Sequence, residues 1–171
     1  MDNSFFAYLQ QLELMAFFSG YPLLYAVILF IAGNKQFKNN FKSRIVSLLP
    51  FAYALVGTLY LGLVLKDLYP DYSIENIAQI IQQPWLTAWG LLSILFWIPA
   101  LGKKPVLSLL HSLVIFFFLV RDLFLHSFHL SSGNDVVRND MKIYTDSLFL
   151  NLGSLLLATL ISLLITRFKK Q

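Results

Sequence analysis

Apolar residues in this chain come in long runs separated by short polar punctuation. Five runs stand out. They cover about Leu12 to Gly33, Ile45 to Leu65, Trp85 to Leu101, Val106 to Leu125 with an extension to Leu130, and Ser147 to Thr166. Each is near the ~20 apolar residues a helix needs to cross a bilayer core, the third being the shortest. A β-barrel would instead show alternation in segments of about 10 residues. Inside lipid, a helix satisfies every backbone polar group within its own segment. The pattern predicts an all-α polytopic membrane protein. It is a single transmembrane domain over residues 1–171, a bundle of five helices at about 12–33, 45–65, 85–101, 106–130 and 147–166.

The connections carry further signals. Between the second and third runs, Ile74, Ile77, Ala78 and Ile81 recur at helical spacing, with Glu75, Asn76, Gln79 and Gln82 opposite. Ser73 is placed to cap this segment and Glu75 falls in its first turn, where negative charge is favourable. A short amphipathic helix over about 73–83 is expected, lying in the membrane interface and ended by Pro84. Trp85 and Trp89 are expected at headgroup level beyond it. The sequence ALGKKP, Ala100 to Pro105, is a tight turn that makes the third and fourth helices antiparallel neighbours. Residues 131–146, SSGNDVVRNDMKIYTD, read as a short polar loop.

Charge placement then orients the bundle. Nine basic residues (Lys35, Lys38, Lys42, Arg44, Lys103, Lys104, Arg167, Lys169 and Lys170) fall in one set of connections. Only Lys66, Arg138 and Lys142 fall in the other set, with Arg121 near the end of the fourth helix. Lys and Arg favour the cytoplasmic side, so the N-terminus is expected outside and the C-terminus inside. All nine acidic residues lie on the outer side: Asp2, Glu13, Asp67, Asp71, Glu75, Asp122, Asp135, Asp140 and Asp146.

The net charge of +4 is therefore the sum of two opposed faces rather than the footprint of a nucleic-acid binder. The basic loops suit anionic headgroups, at about 1 kcal/mol per residue near the surface. Composition agrees: 57% of residues are hydrophobic and 13% charged, where soluble domains average about 25% charged. The chain has no cysteine, which removes disulfides, thiolate metal sites and thiol nucleophiles from consideration. The first residues lack a positive n-region, so the first run is expected to be a mature span rather than a signal peptide.

Two features are candidates for chemistry or contact. Small residues recur as Ala54, Thr58 and Gly62 in the second run. In the fifth they recur as Ser147, Asn151, Ser154, Ala158 and Ser162. Such stripes let helix backbones approach in lipid. The fourth run holds all three histidines together with Arg121 and Asp122. At 100° per residue, His111 and Asp122 project within about 20° of each other. Ser108, His111, Ile115, Phe118, Asp122, His126 and His129 form one stripe. Ionisable groups at membrane depth face a bundle interior, a partner or water. The stripe is therefore either a polar packing face or a proton or ion relay through His111 and Asp122. A weaker option is a metal site from Asp122, His126 and His129, whose spacing puts a carboxylate and two imidazoles on one face.

Arg121, Asp122 and His126 also fit R-[NHD]-x-x-x-H, and so resemble the motif of HEPN-type RNases over six residues, here in a Leu/Phe-rich segment. Five helices in about 170 residues is similar in outline to the TspO receptors, whose Trp-Pro pattern the chain lacks. Neither family is assigned. No nucleophile elbow, P-loop, H-E-x-x-H or dinucleotide fingerprint occurs.

The expected function is a non-enzymatic integral membrane subunit or accessory protein, without cofactor or resident metal. It would pack against other integral membrane proteins, with a second copy of itself as a further partner, in a bacterial cytoplasmic membrane. The alternative is a small transporter or proton-conducting protein, and a metal-dependent membrane enzyme is the weakest reading.

Overall fold

The structure is a computed structural model that describes residues 17–33, 39–81, 84–129 and 134–168. It is all-helical, with no strand among the described residues. The helices are α1 (Tyr21–Gly33), α2 (Asn39–Leu68), α3 (Ile74–Ile80) and α4 (Pro84–Leu92). A 3-10 segment (Ser93–Trp97) follows, then α5 (Pro99–Gly102), α6 (Pro105–His129) and α7 (Asn134–Phe168). Four of the six prolines, Pro22, Pro84, Pro99 and Pro105, stand in the first turn of a helix, where a missing N–H costs nothing. Pro70 lies in the connection after α2, and Pro50 is the one inside a helix. It lies buried inside α2 and leaves the Val46 carbonyl without its helical donor.

Two helices contain stretches long and apolar enough to cross a membrane, Ser43–Leu68 and Tyr144–Phe168. Shorter apolar helical stretches cover Tyr21–Ile31, Pro84–Trp97 and Pro105–Phe118. The central packing is between α2 and α7, with α1, α4, the 3-10 segment and α6 laid against α2. Arg44, near the start of α2, bonds Ser162 and Thr166 near the end of α7, so these two helices run antiparallel.

Element boundaries depart from the sequence expectation in three places. The third run, expected as one helix over 85–101, is broken into α4, the 3-10 segment and α5. Ile98 is extended at φ −70° and ψ 124° because the ring of Pro99 disfavours helical geometry in the residue before it. Ser93 adds to the break by turning its hydroxyl back to the Gly90 carbonyl at 2.6 Å. The second departure is at 131–146: from Asn134 onward this expected loop is the first part of α7. Val137, Met141 and Tyr144 recur at i, i+4 and i+7, a helical spacing obscured by the polar residues between them. The third is the first run. Its helix α1 begins at Tyr21, after a turn at Ser19–Gly20, and residues 12–16 lie outside the described ones. At 1.5 Å per residue the 35 residues of α7 extend about 52 Å, well beyond a ~30 Å hydrocarbon core.

The short helix α3 forms within the expected 73–83. Ser73 caps it by accepting from the Asn76 N–H at 3.3 Å, and Glu75 occupies the first turn. Asn76 in turn donates to the Leu68 and Asp71 carbonyls, tying α3 to the end of α2. The side chains of Ala78 and Gln79, and residues 82 and 83, lie outside the described ones.

The core is mostly apolar and aromatic, and several polar side chains are buried with it. Ser19, Ser93, Ser108, Ser112, Ser147, Asn151 and Ser154 are all buried. The exterior carries Phe30 at 84% exposure, Phe149 at 68% and Phe168 at 72%, with Leu156, Leu160 and Leu164 between the last two. A contiguous exposed apolar face of this kind marks an interaction surface or lipid, because monomeric soluble proteins rarely carry one.

Candidate functional site

The site is built around His111, one turn and a half into α6. Its imidazole is stacked on the indole of Trp89 from α4, with ring centroids 4.8 Å apart and planes within 5°. Tyr53 of α2 approaches edge-on at 5.7 Å and Phe96 of the 3-10 segment at 5.9 Å. Four elements thus enclose one ring. The enclosure is also bonded. Tyr53 Oη and His111 Nδ1 are 2.8 Å apart, and the Trp89 indole N–H donates to the His111 carbonyl at 3.1 Å.

The neighbouring layer extends the cluster. Tyr21 of α1 packs on Tyr53 at 4.4 Å, and its hydroxyl lies 2.7 Å from Ser108 Oγ. Ser108 spends its own proton on the Pro105 carbonyl at 2.8 Å, so Tyr21 is the donor of that pair. Tyr21 and Tyr53 are both fully buried. Which of Tyr53 Oη and His111 Nδ1 donates follows the imidazole tautomer: Tyr53 donates when the ring proton is on Nε2 and accepts when it is on Nδ1. Nε2, Ser19 Oγ and Asn151 Oδ1 are buried and have no hydrogen-bond partner among the described residues.

A second polar set joins the start of the described chain to α7. Ser147 Oγ accepts the Gly20 N–H at 2.8 Å, and the Asn151 amide donates to the Phe17 and Ser147 carbonyls at 3.0 and 2.8 Å. Gly20 touches the α7 backbone here: a Cβ at this position would lie 2.7 Å from Ser147 C and Leu148 N. Ser147 and Asn151 therefore spend polarity inside the chain, and Ser154 is buried beside them. Ala158 and Ser162 continue the stripe at half burial.

On α2 the close approach is made elsewhere than at the expected glycine. Ala54 is buried and Thr58, exposed, receives the Trp97 indole N–H at 2.9 Å. Gly62 has nothing within 4 Å of its added Cβ, whereas at Gly57 a Cβ would lie 2.0 Å from Ser93 Oγ.

The structure places the fourth-run residues unequally. On the stripe between His111 and Asp122, Ile115 is wholly buried and Phe118 packs edge-on against Trp85 at 5.0 Å. Apolar side chains fill the interval that a relay would have to cross. Arg121 is exposed. Asp122, His126 and His129 lie on α6, but their side chains are outside the described ones. Among the described residues no three His, Asp or Glu side chains are grouped to hold a metal.

Sequence reading singled out His111 but not the rings around it. Trp89, expected at headgroup level, is half-buried and spends its N–H inside the bundle. The legible signal was Tyr21, Tyr53, Trp89 and Phe96 as large amphipathic or aromatic residues in otherwise aliphatic runs. Their convergence depends on helix packing that no single run contains.

No protein-family model matches the sequence, and no similar protein is found among curated sequences or solved structures. Functional inference therefore starts from the residues.

Proposed function

We propose that the chain is a non-enzymatic integral membrane subunit that crosses the bilayer five times and works by contact with other membrane proteins. The observation that carries the membrane reading is the large exposed surface of Leu, Ile and Phe around a core that also buries serines and Asn151. In water this arrangement would sacrifice the main driving force of folding. In lipid it is favourable, because helix association there relies on close packing and interhelical hydrogen bonds. The broken third segment still runs from Pro84 to Gly102, close to the ~20 residues of a crossing. The basic residues support an inside C-terminus, and a bacterial cytoplasmic membrane suits so small a multi-pass chain.

Contact rather than catalysis is supported by what the buried polar groups do. His111, Ser108, Ser147 and Asn151 are engaged in holding helices together, and the outer apolar face is the free surface. A second reading is favoured by the unpartnered His111 Nε2, which a proton-conducting protein would use with water and Asp122.

Extraction in mild detergent followed by native mass measurement tests the first reading. A complex with another membrane protein is expected. A chain that is uniformly monomeric after the gentlest extraction contradicts it.

A further inference from the structure

A groove of about 320 Å³ opens between α2 and α7 at the end of the bundle where Arg44 lies. Its walls are Leu48, Phe51 and Leu55 from α2, Ala158 and Ile161 from α7, and Trp97. That volume is at the lower end of the range for small-molecule sites. The walls offer hydrocarbon. Polar atoms enter at the end where Ser162 and Thr166 line the groove.

Arg44 is tied to that end through two of the groove's residues. One guanidinium nitrogen, Nη2, donates to the Thr166 hydroxyl at 3.0 Å, to the Ser162 hydroxyl at 3.3 Å and to the Ser162 carbonyl at 3.4 Å. These acceptors are neutral, so they fix the guanidinium without cancelling its charge. A guanidinium has five N–H donors in a planar fork that matches a phosphate. Among the described residues, Nε and Nη1 have no acceptor. The acids whose side chains are described, Asp67, Asp71, Glu75 and Asp146, lie toward the opposite ends of α2 and α7. The result is an apolar slot ending in a positioned, uncompensated cation, with Arg167 adjacent to Thr166 in sequence.

We infer that this groove holds one anionic phospholipid, an acyl chain between α2 and α7 and its phosphate on Arg44. The inference rests on the membrane reading above and goes beyond it in assigning a site. It is charge complementarity that selects lipid over a partner helix. A helix laid in the slot would satisfy the apolar walls and leave Arg44 facing more hydrocarbon.

The test uses the full chain, purified in detergent, exchanged against equal phosphatidylglycerol and phosphatidylcholine, and read by native mass measurement. One retained phosphatidylglycerol per chain is expected. Arg44→Gln is expected to lower its retention about five-fold, the worth of one basic residue at an anionic surface. Ala158→Phe, which fills the slot while sparing Arg44, is expected to lower it comparably. Lys142→Gln, exposed on the opposite end of α7, is expected to leave it unchanged. Circular dichroism checks that each variant keeps its helix. Folded variants that retain phosphatidylglycerol as well as the parent overturn the site, as does equal retention of both lipids or a parent chain that keeps none. In those outcomes a chain that still needs detergent leaves the membrane reading standing. A chain soluble without detergent overturns both.

Discussion

Gly20→Ala is expected to destabilise the bundle by about 1–3 kcal/mol, the usual cost of overpacking, and to loosen α1 from α7. The added methyl would meet Ser147 and Leu148 backbone atoms at 2.7 Å, and backbone cannot rotate away. Separating the helices would also stretch the Gly20–Ser147 and Asn151–Phe17 hydrogen bonds. Gly57→Ala is the informative comparison. Its methyl would lie 2.0 Å from Ser93 Oγ, a side-chain atom. Replacing Ser93 with alanine in the same molecule should therefore recover part of the loss, whereas no single side-chain truncation should rescue Gly20→Ala. Gly62→Ala, facing open space, should be neutral within experimental scatter. Thermal unfolding in one detergent ranks all four. A Gly20 variant as stable as the Gly62 variant would contradict the close α1–α7 approach.

His111→Ala should cost about 2–4 kcal/mol by the same measurement. Three rings lose their common neighbour, and the buried Tyr53 hydroxyl loses its partner. The two effects separate in a cycle. His111→Phe keeps a ring in the enclosure but strands the Tyr53 hydroxyl. Adding Tyr53→Phe removes that stranded group, so the double variant should be more stable than His111→Phe alone. The same alanine variant distinguishes the two functional readings. In liposomes carrying a pH-sensitive dye, a packing role predicts identical proton flux for parent and variant. A flux present in the parent and abolished by His111→Ala would move the account to the conducting alternative.

How much of this was legible beforehand varies with the physics behind each feature. Run length and lack of alternation are local, and they gave a helical reading for each long apolar run. The cap at Ser73 was readable because a cap and its helix are neighbours in sequence. The break at Ile98 was readable in principle from Pro99, but the apolar run masked it, since hydropathy is blind to backbone geometry. The helical start of α7 was missed for the opposite reason: polar residues suggested a loop where only the apolar run had ended and the helix continues. His111 drew notice as an ionisable residue at depth. Tyr53 and Phe96 did not, and Trp89 was read as a headgroup anchor, because each comes from a different element and nothing in its own run points to His111. Gly62 was singled out by its spacing from Ala54 and Thr58, and Gly57 was not considered. Only the position of Ser93 shows which glycine faces a neighbour.

The central claim is that the chain crosses the membrane repeatedly, with its basic and acidic connections on opposite sides. Because the sequence contains no cysteine, single cysteines can be placed without background. Asp71→Cys and Lys104→Cys sit in two exposed connections separated by the third apolar segment. In intact cells an impermeant maleimide should label position 71 at once and position 104 only after the membrane is opened. Labelling of both positions from the same side would contradict the crossing between them, and labelling of 104 alone would invert the topology.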